Sequence, residues 1–301
     1  MNLFISVLIG CIIAVMLAFN GGLSAQYGVF GSTVIIHIVG TSFAFAAIKL
    51  RKMKLNITRD IPLWMFCGGA IGVLTTLFNN FSFGKIGITA IMALGLFGQG
   101  VTSAIIDCFG LFGMPKRKYK KLDLIGILFA VIGILIMLED IENAAFAAIL
   151  MSLAAGVTIV LSRTVNADLS GKIGALQGAF VNHFVGLPIT VAMLLMLGRA
   201  EPIFTGFSLS PKLWIYLGGA LGVIVVMLFN VMVPKVKAFN LTLLTFVGQV
   251  FAGILIDIIT KQPYSQASFY GSTLVAVGIF TNILLGHFSD EKERKKGIGT
   301  R

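Results

Sequence analysis

Gly98-Gln99-Gly100-Val101-Thr102-Ser103-Ala104-Ile105-Ile106-Asp107 recurs later in the chain as Gly248-Gln249-Val250-Phe251-Ala252-Gly253-Ile254-Leu255-Ile256-Asp257, with the same spacing from amide to carboxylate. Each copy lies in a long apolar stretch, where a buried amide costs several kcal/mol unless something bonds it. Matched polar positions in the two halves of an apolar chain point to a shared site near the middle of a bilayer.

Working outward, the whole chain reads as one unit written twice. A shift of 146 positions carries Gly10 onto Gly156, Asn20 onto Asn166, Gly28 onto Gly174, His37 onto His183 and Gly40 onto Gly186. A shift of 150 carries Trp64 onto Trp214, Gly68-Gly69 onto Gly218-Gly219, Gly72 onto Gly222, Asn80 onto Asn230, Gln99 onto Gln249 and Asp107 onto Asp257.

Composition sets the class. Hydrophobic residues make up 57% of the 301, charged residues only 12%, and the mean hydropathy is +0.98. A soluble domain keeps about a quarter of its residues charged, so this is an integral membrane protein. Long apolar runs without strict alternation argue for helices and against a β-barrel. Ten spans are expected, at 3–20, 29–49, 62–83, 86–111 and 122–138 in the first half, and at 144–161, 173–197, 212–233, 238–260 and 268–287 in the second. The units run over 1–140 and 141–288, followed by a charged tail, 289–301, expected in the cytoplasm. The first run carries no small-residue cleavage pattern and reads as a retained span.

An odd number of spans per unit makes the second unit enter the membrane from the side opposite the first, which is an inverted repeat. Charge agrees. All but four (Lys85, Arg199, Lys212 and Lys261) of the 23 Lys and Arg fall on the face expected to hold both termini, including the loop residues Lys49, Arg51, Lys52, Lys54 and Arg59. The positive-inside rule makes that face cytoplasmic. The net charge of +11 is therefore topological and gives no reason to expect a nucleic-acid partner.

Gln99 and Gln249 suit hydrogen bonding to a polar substrate, or equally interhelical bonding worth about 1 kcal/mol. His37 and His183, each followed three residues on by glycine, could hold a ligand, relay protons, or bond a neighbouring backbone. Asn80 and Asn230 are expected to line a vestibule with Asn79 and Asn182, while Asn20 and Asn166 read as helix caps. Asp107 and Asp257 close their helices at the end where the dipole disfavours an anion. Each needs a partner or a purpose: it caps the following turn or pairs with loop Lys and Arg, or it couples protons, with Asp107 the coupling candidate. Arg163, whose matched position is Leu17, either snorkels to the cytoplasmic edge or marks divergence of the halves for substrate. Gly68/Gly72 and Gly218/Gly222 form close-packing faces, and Trp64 and Trp214 are interfacial anchors. Cys11, Cys67 and Cys108 lack metal-ligand spacing, and no nucleotide loop, zinc motif or nucleophile elbow occurs in the sequence. Neither a metal nor a cofactor is expected.

The run Ile105-Ile106-Asp107-Cys108-Phe109-Gly110-Leu111-Phe112-Gly113-Met114-Pro115, the basic loop after it, Gly126 and Gly133 resemble the YdcZ family of bacterial inner-membrane proteins, within the drug/metabolite transporter superfamily. So does the opening Asn20-Gly21-Gly22-Leu23 with Gly28 and Val39-Gly40. The second half departs from the pattern: Phe-Gly is missing after Asp257, and Lys261-Gln262-Pro263 replaces the basic loop. The resemblance implies a bacterial inner-membrane exporter or exchanger of a small polar metabolite or drug, with a central cavity and the fifth and tenth helices outside it.

The expectation is an all-α, ten-helix carrier of inverted five-helix repeats, working by alternating access and no enzyme, with proton coupling and exchange both open. Its substrate residues are Gln99, Gln249, His37, His183, Asn80 and Asn230. A passive channel or a non-transporting membrane component is the alternative, and a lipid-modifying enzyme stands further off. Its partners are a small molecule and the bilayer, as a monomer or homodimer.

Overall fold

In lipid, backbone amides and carbonyls must bond one another, so an apolar chain of this kind resolves into helices. The computed structural model describes residues 2–55, 57, 60–111, 128–129, 131–133, 135–136, 143–233, 235, 238–260 and scattered positions between 266 and 281. Among them the named elements are all helical: α1 (Asn2–Tyr27), α2 (Val29–Leu50), α3 (Cys67–Ser82), α4 (Ile88–Phe109), α5 (Asn143–Ile173), α6 (Ala175–Leu197), the single turn α7 (Pro202–Thr205), α8 (Gly218–Met232) and α9 (Ala238–Thr260). Short 3-10 turns, Leu63–Phe66 and Leu213–Leu217, lead into α3 and α8. Among the described residues, five helical segments are long and apolar enough to cross a membrane: Asn2–Tyr27, Val29–Leu50, Phe146–Ile173, Ala175–Leu197 and Leu213–Met232. Apart from scattered helical positions, the fifth and tenth expected spans and the tail lie outside the described residues.

α1 meets α2 at Gly28, and α5 meets α6 at the matched Gly174. Both glycines hold a positive φ, 85° and 103°, which a side chain would strain. These junctions correct two boundaries. The sequence reading ends helices at Asn20 and 161, with Asn166 as a cap, whereas α1 and α5 run on to Tyr27 and Ile173. Asn20 and Asn166 are therefore internal and buried. A polar side chain in an apolar helix looks the same in sequence whether it exits to water or faces a neighbouring helix.

The helices pack in register-matched pairs. α1 lies along α9 as α5 lies along α4, and α3 lies along α5 as α8 lies along α1. α2 packs on α6, and α4 on α9. Small residues set the spacing. A Cβ on Gly10 of α1 would stand 2.8 Å from the Gln249 backbone nitrogen, and one on Gly156 of α5 2.7 Å from that of Gln99. Such backbone-to-backbone seams suit helices that bind in lipid by close packing. Phe4, Met196 and Phe251 lie on the outside at more than 70% exposure, as a lipid-facing surface requires. Trp64 and Trp214 are about half exposed in the two entry turns, where interfacial anchors are expected.

α2 also fixes which loops share an end. Its first turn receives Glu201, whose carboxylate accepts the Phe30 and Gly31 N–H groups at 2.8–3.1 Å. Its last turn leads into the basic loop, where the Lys54 carbonyl accepts from Gln177 at the start of α6. With a rise of 1.5 Å per residue, the two loops lie about 33 Å apart along α2.

Candidate functional site

His37 and His183 meet where the middles of α2 and α6 cross. Their ring centroids are 5.4 Å apart and edge-on, and both side chains are buried. Each ring packs on the glycine that follows the other: a Cβ on Gly40 would come within 2.6 Å of His183 Nδ1, and one on Gly186 within 2.6 Å of His37 Nε2. His37 Nδ1 donates to the Thr33 carbonyl at 2.8 Å, which fixes its tautomer and leaves Nε2 as the second ring nitrogen. Among the described residues neither nitrogen of His183 has a hydrogen-bond partner. A buried polar atom left so costs about 1–3 kcal/mol, a cost that a ligand or a second conformation can remove.

Gln99 is buried on α4 and accepts, through Oε1, from Arg163 Nη1 at 3.4 Å; Arg163 Nη2 lies 3.5 Å from Ser103 Oγ. Arg163 therefore does not snorkel outward. It stands about 15 Å from the C-terminal end of α5 and is aimed across at α4. Gln249 is equally buried on α9, beside the α1 seam. Matched in sequence, the two glutamines differ in company, since Leu17 in an apolar cluster stands where Arg163 stands in the other half.

The asparagines are tied into the scaffold. Asn80 Nδ2 donates to Ser32 Oγ at 3.0 Å and Thr33 Oγ1 at 3.2 Å, while its Oδ1 has no partner among the described residues. Asn230 Nδ2 donates to the Ala175 carbonyl at the start of α6, 3.1 Å away. Asn166 Nδ2 donates to Asn182 Oδ1 at 2.8 Å and to Ser162 Oγ at 3.1 Å, and the Ser162 hydroxyl donates to the Gly68 carbonyl. The pair Gly68/Gly72 is thus a cradle for amides of α5 and α6, and Gly218 packs on Asn20 in the same way.

Asp257 turns from the end of α9 to the start of α4, where its Oδ1 accepts the Ile88 N–H at 3.0 Å. The carboxylate that is misplaced on its own helix dipole is well placed on another's. Asp107 lies in α4, and its side chain is outside the described residues. Two contributions escaped the sequence reading. Glu201 is isolated in a loop without a pattern. Ser103, by contrast, stands inside the quoted stretch, where its copy has Gly253, and that difference is a usable signal.

Comparison with known proteins adds the class. A solved structure described only as "Crystal structure of protein" superposes with a TM-score of 0.60 at 16% identity, over 94% of this chain and 96% of the other, a likeness of fold. No curated protein matches the chain. A family model described as "Putative inner membrane exporter, YdcZ" matches residues 1–136 and again 147–281. On those two segments, covering nearly its whole length, the chain belongs to the YdcZ family of inner-membrane exporters, of the drug/metabolite transporter type.

Proposed function

We propose that the chain is a secondary transporter of two inverted five-helix repeats, moving a small polar metabolite or drug across the inner membrane by alternating access. Export or exchange is the direction this reading favours, with the site at the crossing of the two halves. Gln99, Gln249, His37 and His183 form its polar lining; Asn80 and Asn230 hold the helices that carry it.

The observation that carries this reading is the reciprocal packing of His37 on Gly186 and His183 on Gly40, register-matched residues exchanged between α2 and α6. Two antiparallel copies of one unit generate such a contact wherever an axis between them passes. It is a natural pivot, because neither half is distinguished from the other there. Among the described residues His183 has no bond to replace the water it lost, so a state in which the crossing opens, or a ligand enters, is favoured by the bond it gains.

The test is transport in proteoliposomes with a metabolite and drug panel, first screened by ligand-induced thermal shift. Saturating, exchangeable flux is the expected result, and Gln99→Ala and Gln249→Ala each lower it about fivefold or more, the loss of one net hydrogen bond. Non-saturating flux would make the protein a channel. Unchanged kinetics in folded variants would remove the glutamines from the site.

A further inference from the structure

Tyr27 and Tyr216 carry the inference. Tyr27 ends α1 and is only 1% exposed, covered by the segment between α6 and α8, while Tyr216 stands in the turn that leads into α8. Their hydroxyls bond each other. Tyr27 donates to the Ser208 carbonyl at 2.9 Å, and the Ser210 N–H donates to Tyr216 at 2.9 Å and to Tyr27 at 3.3 Å. Phe207 stacks on the Tyr27 ring, with centroids 5.6 Å apart. Glu201, in the same segment, holds the first turn of α2, so the segment is pinned to both helices that meet at Gly28.

The duplication supplies the comparison. The shift of 146 carries Leu23 onto Leu169 and Tyr27 onto Ile173, and the shift of 150 carries Phe66 onto Tyr216. The matched residues gather in both copies. Leu23, Tyr27 and Tyr216 share one apolar cluster, and Leu169, Ile173 and Phe66 share another, which follows the basic loop. Both ends are therefore shut by one construction, with Leu23 and Leu169 fully buried a turn further in. The end beside Glu201 adds two hydroxyls where the other has Ile173 and Phe66. The ties of the adjoining loops differ in the same sense. One is a carboxylate accepting N–H groups, the other the Gln177 amide donating to the Lys54 carbonyl, and the charged acceptor makes the stronger bond.

We propose that Tyr27 and Tyr216 latch the outer end of the transporter, the end opposite the basic loop, so that at rest it opens to the cytoplasm more readily than to the outside. The inference rests on the transporter reading above and adds the device that sets its resting direction. In a chain of two antiparallel copies, the two open states arise by exchanging the roles of the halves, and identical halves would populate them equally. A preference comes from residues that differ between matched positions. Parting Ile173 from its cluster gives up apolar contact alone. Parting Tyr27 from Tyr216 gives up apolar contact and hydroxyl bonds as well, about fivefold in population for one net hydrogen bond. Such a bias suits an exporter, which takes up its cargo from the cytoplasmic side.

The test reads accessibility in the full chain and needs no cargo. Leu23→Cys reports the outer end and Leu169→Cys the inner end, each with Cys11, Cys67 and Cys108 replaced by alanine; Ile36→Cys, from the same cluster as Leu23, serves if Leu23→Cys does not fold. An impermeant maleimide is applied to intact cells for position 23 and to inside-out vesicles for position 169. Tyr27→Phe or Tyr216→Phe should raise the labelling rate at position 23 about fivefold and leave the rate at position 169 level or lower. If neither tyrosine variant folds, Glu201→Gln, which keeps an acceptor and gives up the charge, should move both rates in the same directions. An unchanged or lowered rate at position 23 would overturn the latch. So would a rise at both positions, because that is general loosening of the fold. The two readings fail separately: saturable flux with position 23 indifferent to the tyrosines leaves the transporter standing and sinks the latch, whereas the expected labelling in a chain that passes only non-saturating flux keeps the latch as the gate of a channel.

Discussion

Asp257 illustrates how little a side chain's own helix says about its role. At the end of α9 it opposes the dipole, and in sequence it looks like a liability with a lost motif behind it. Its carboxylate instead accepts the first free N–H of α4, so the helix that benefits lies far away in the chain. Asp257→Asn keeps an acceptor and gives up the charge, and should cost about 1 kcal/mol. Asp257→Ala leaves the Ile88 N–H without that acceptor and should cost about 1–3 kcal/mol. Thermal unfolding in detergent checks the order, and an Asn variant as unstable as the Ala variant would show that the negative charge, and not the cap, is what the site requires. The same limit explains why Asn20 and Asn166 read as caps in the sequence. Their identity was legible and their matched positions were legible, but the partner that decides between cap and packed amide belongs to another helix. For Gln99 the sequence supplied the residue and its depth, and could not supply Arg163 as its neighbour.

At the level of the element, glycine carries most of what was readable. Gly10, Gly98, Gly156 and Gly248 recur in register, and all four become backbone contacts along α1–α9 and α4–α5. Gly28 and Gly174 recur too and become the sharp joints between helices. What the pattern leaves open is which glycines are in contact, since a glycine is equally small whether a neighbour touches it or not. The distinction is measurable. Gly40→Ala would press a methyl on His183 and Gly186→Ala on His37, and each should cost about 1–3 kcal/mol by overpacking. Gly100→Ala meets nothing within 4 Å and should leave stability unchanged or raise it by up to about 1 kcal/mol, the helix-propensity gain. Melting curves that rank Gly100→Ala with the other two would mean that helix flexibility, and not the close crossing, sets their cost.

For the whole molecule, the helical membrane class and the repetition of the halves were readable because hydropathy, charge and repetition all act over tens of residues. The asymmetry between them was not, since a single Arg for Leu barely changes any of the three. α2 gives the topology a physical ruler. Its two ends hold the basic loop and the loop bearing Glu201 about 33 Å apart, close to the thickness of a hydrocarbon core. One cysteine placed at Met53 and another at Phe207, each in a variant with Cys11, Cys67 and Cys108 replaced by alanine, should then react with an impermeant maleimide from opposite sides of the membrane. Both positions are exposed, so a failure to label will not be mistaken for burial. Inside-out vesicles should label at position 53 and intact cells at position 207, because the loop rich in lysine and arginine is the one retained in the cytoplasm. The α2–α6 pair makes the result decisive for the repeat as well. Gln177 at the start of α6 bonds the basic loop, while α6 ends beside the loop of Glu201, so α2 and its register-matched copy run in opposite senses between the same two loops. Labelling of both cysteines from one side would put the two loops on one face, and the inverted relation of the halves would fall with it.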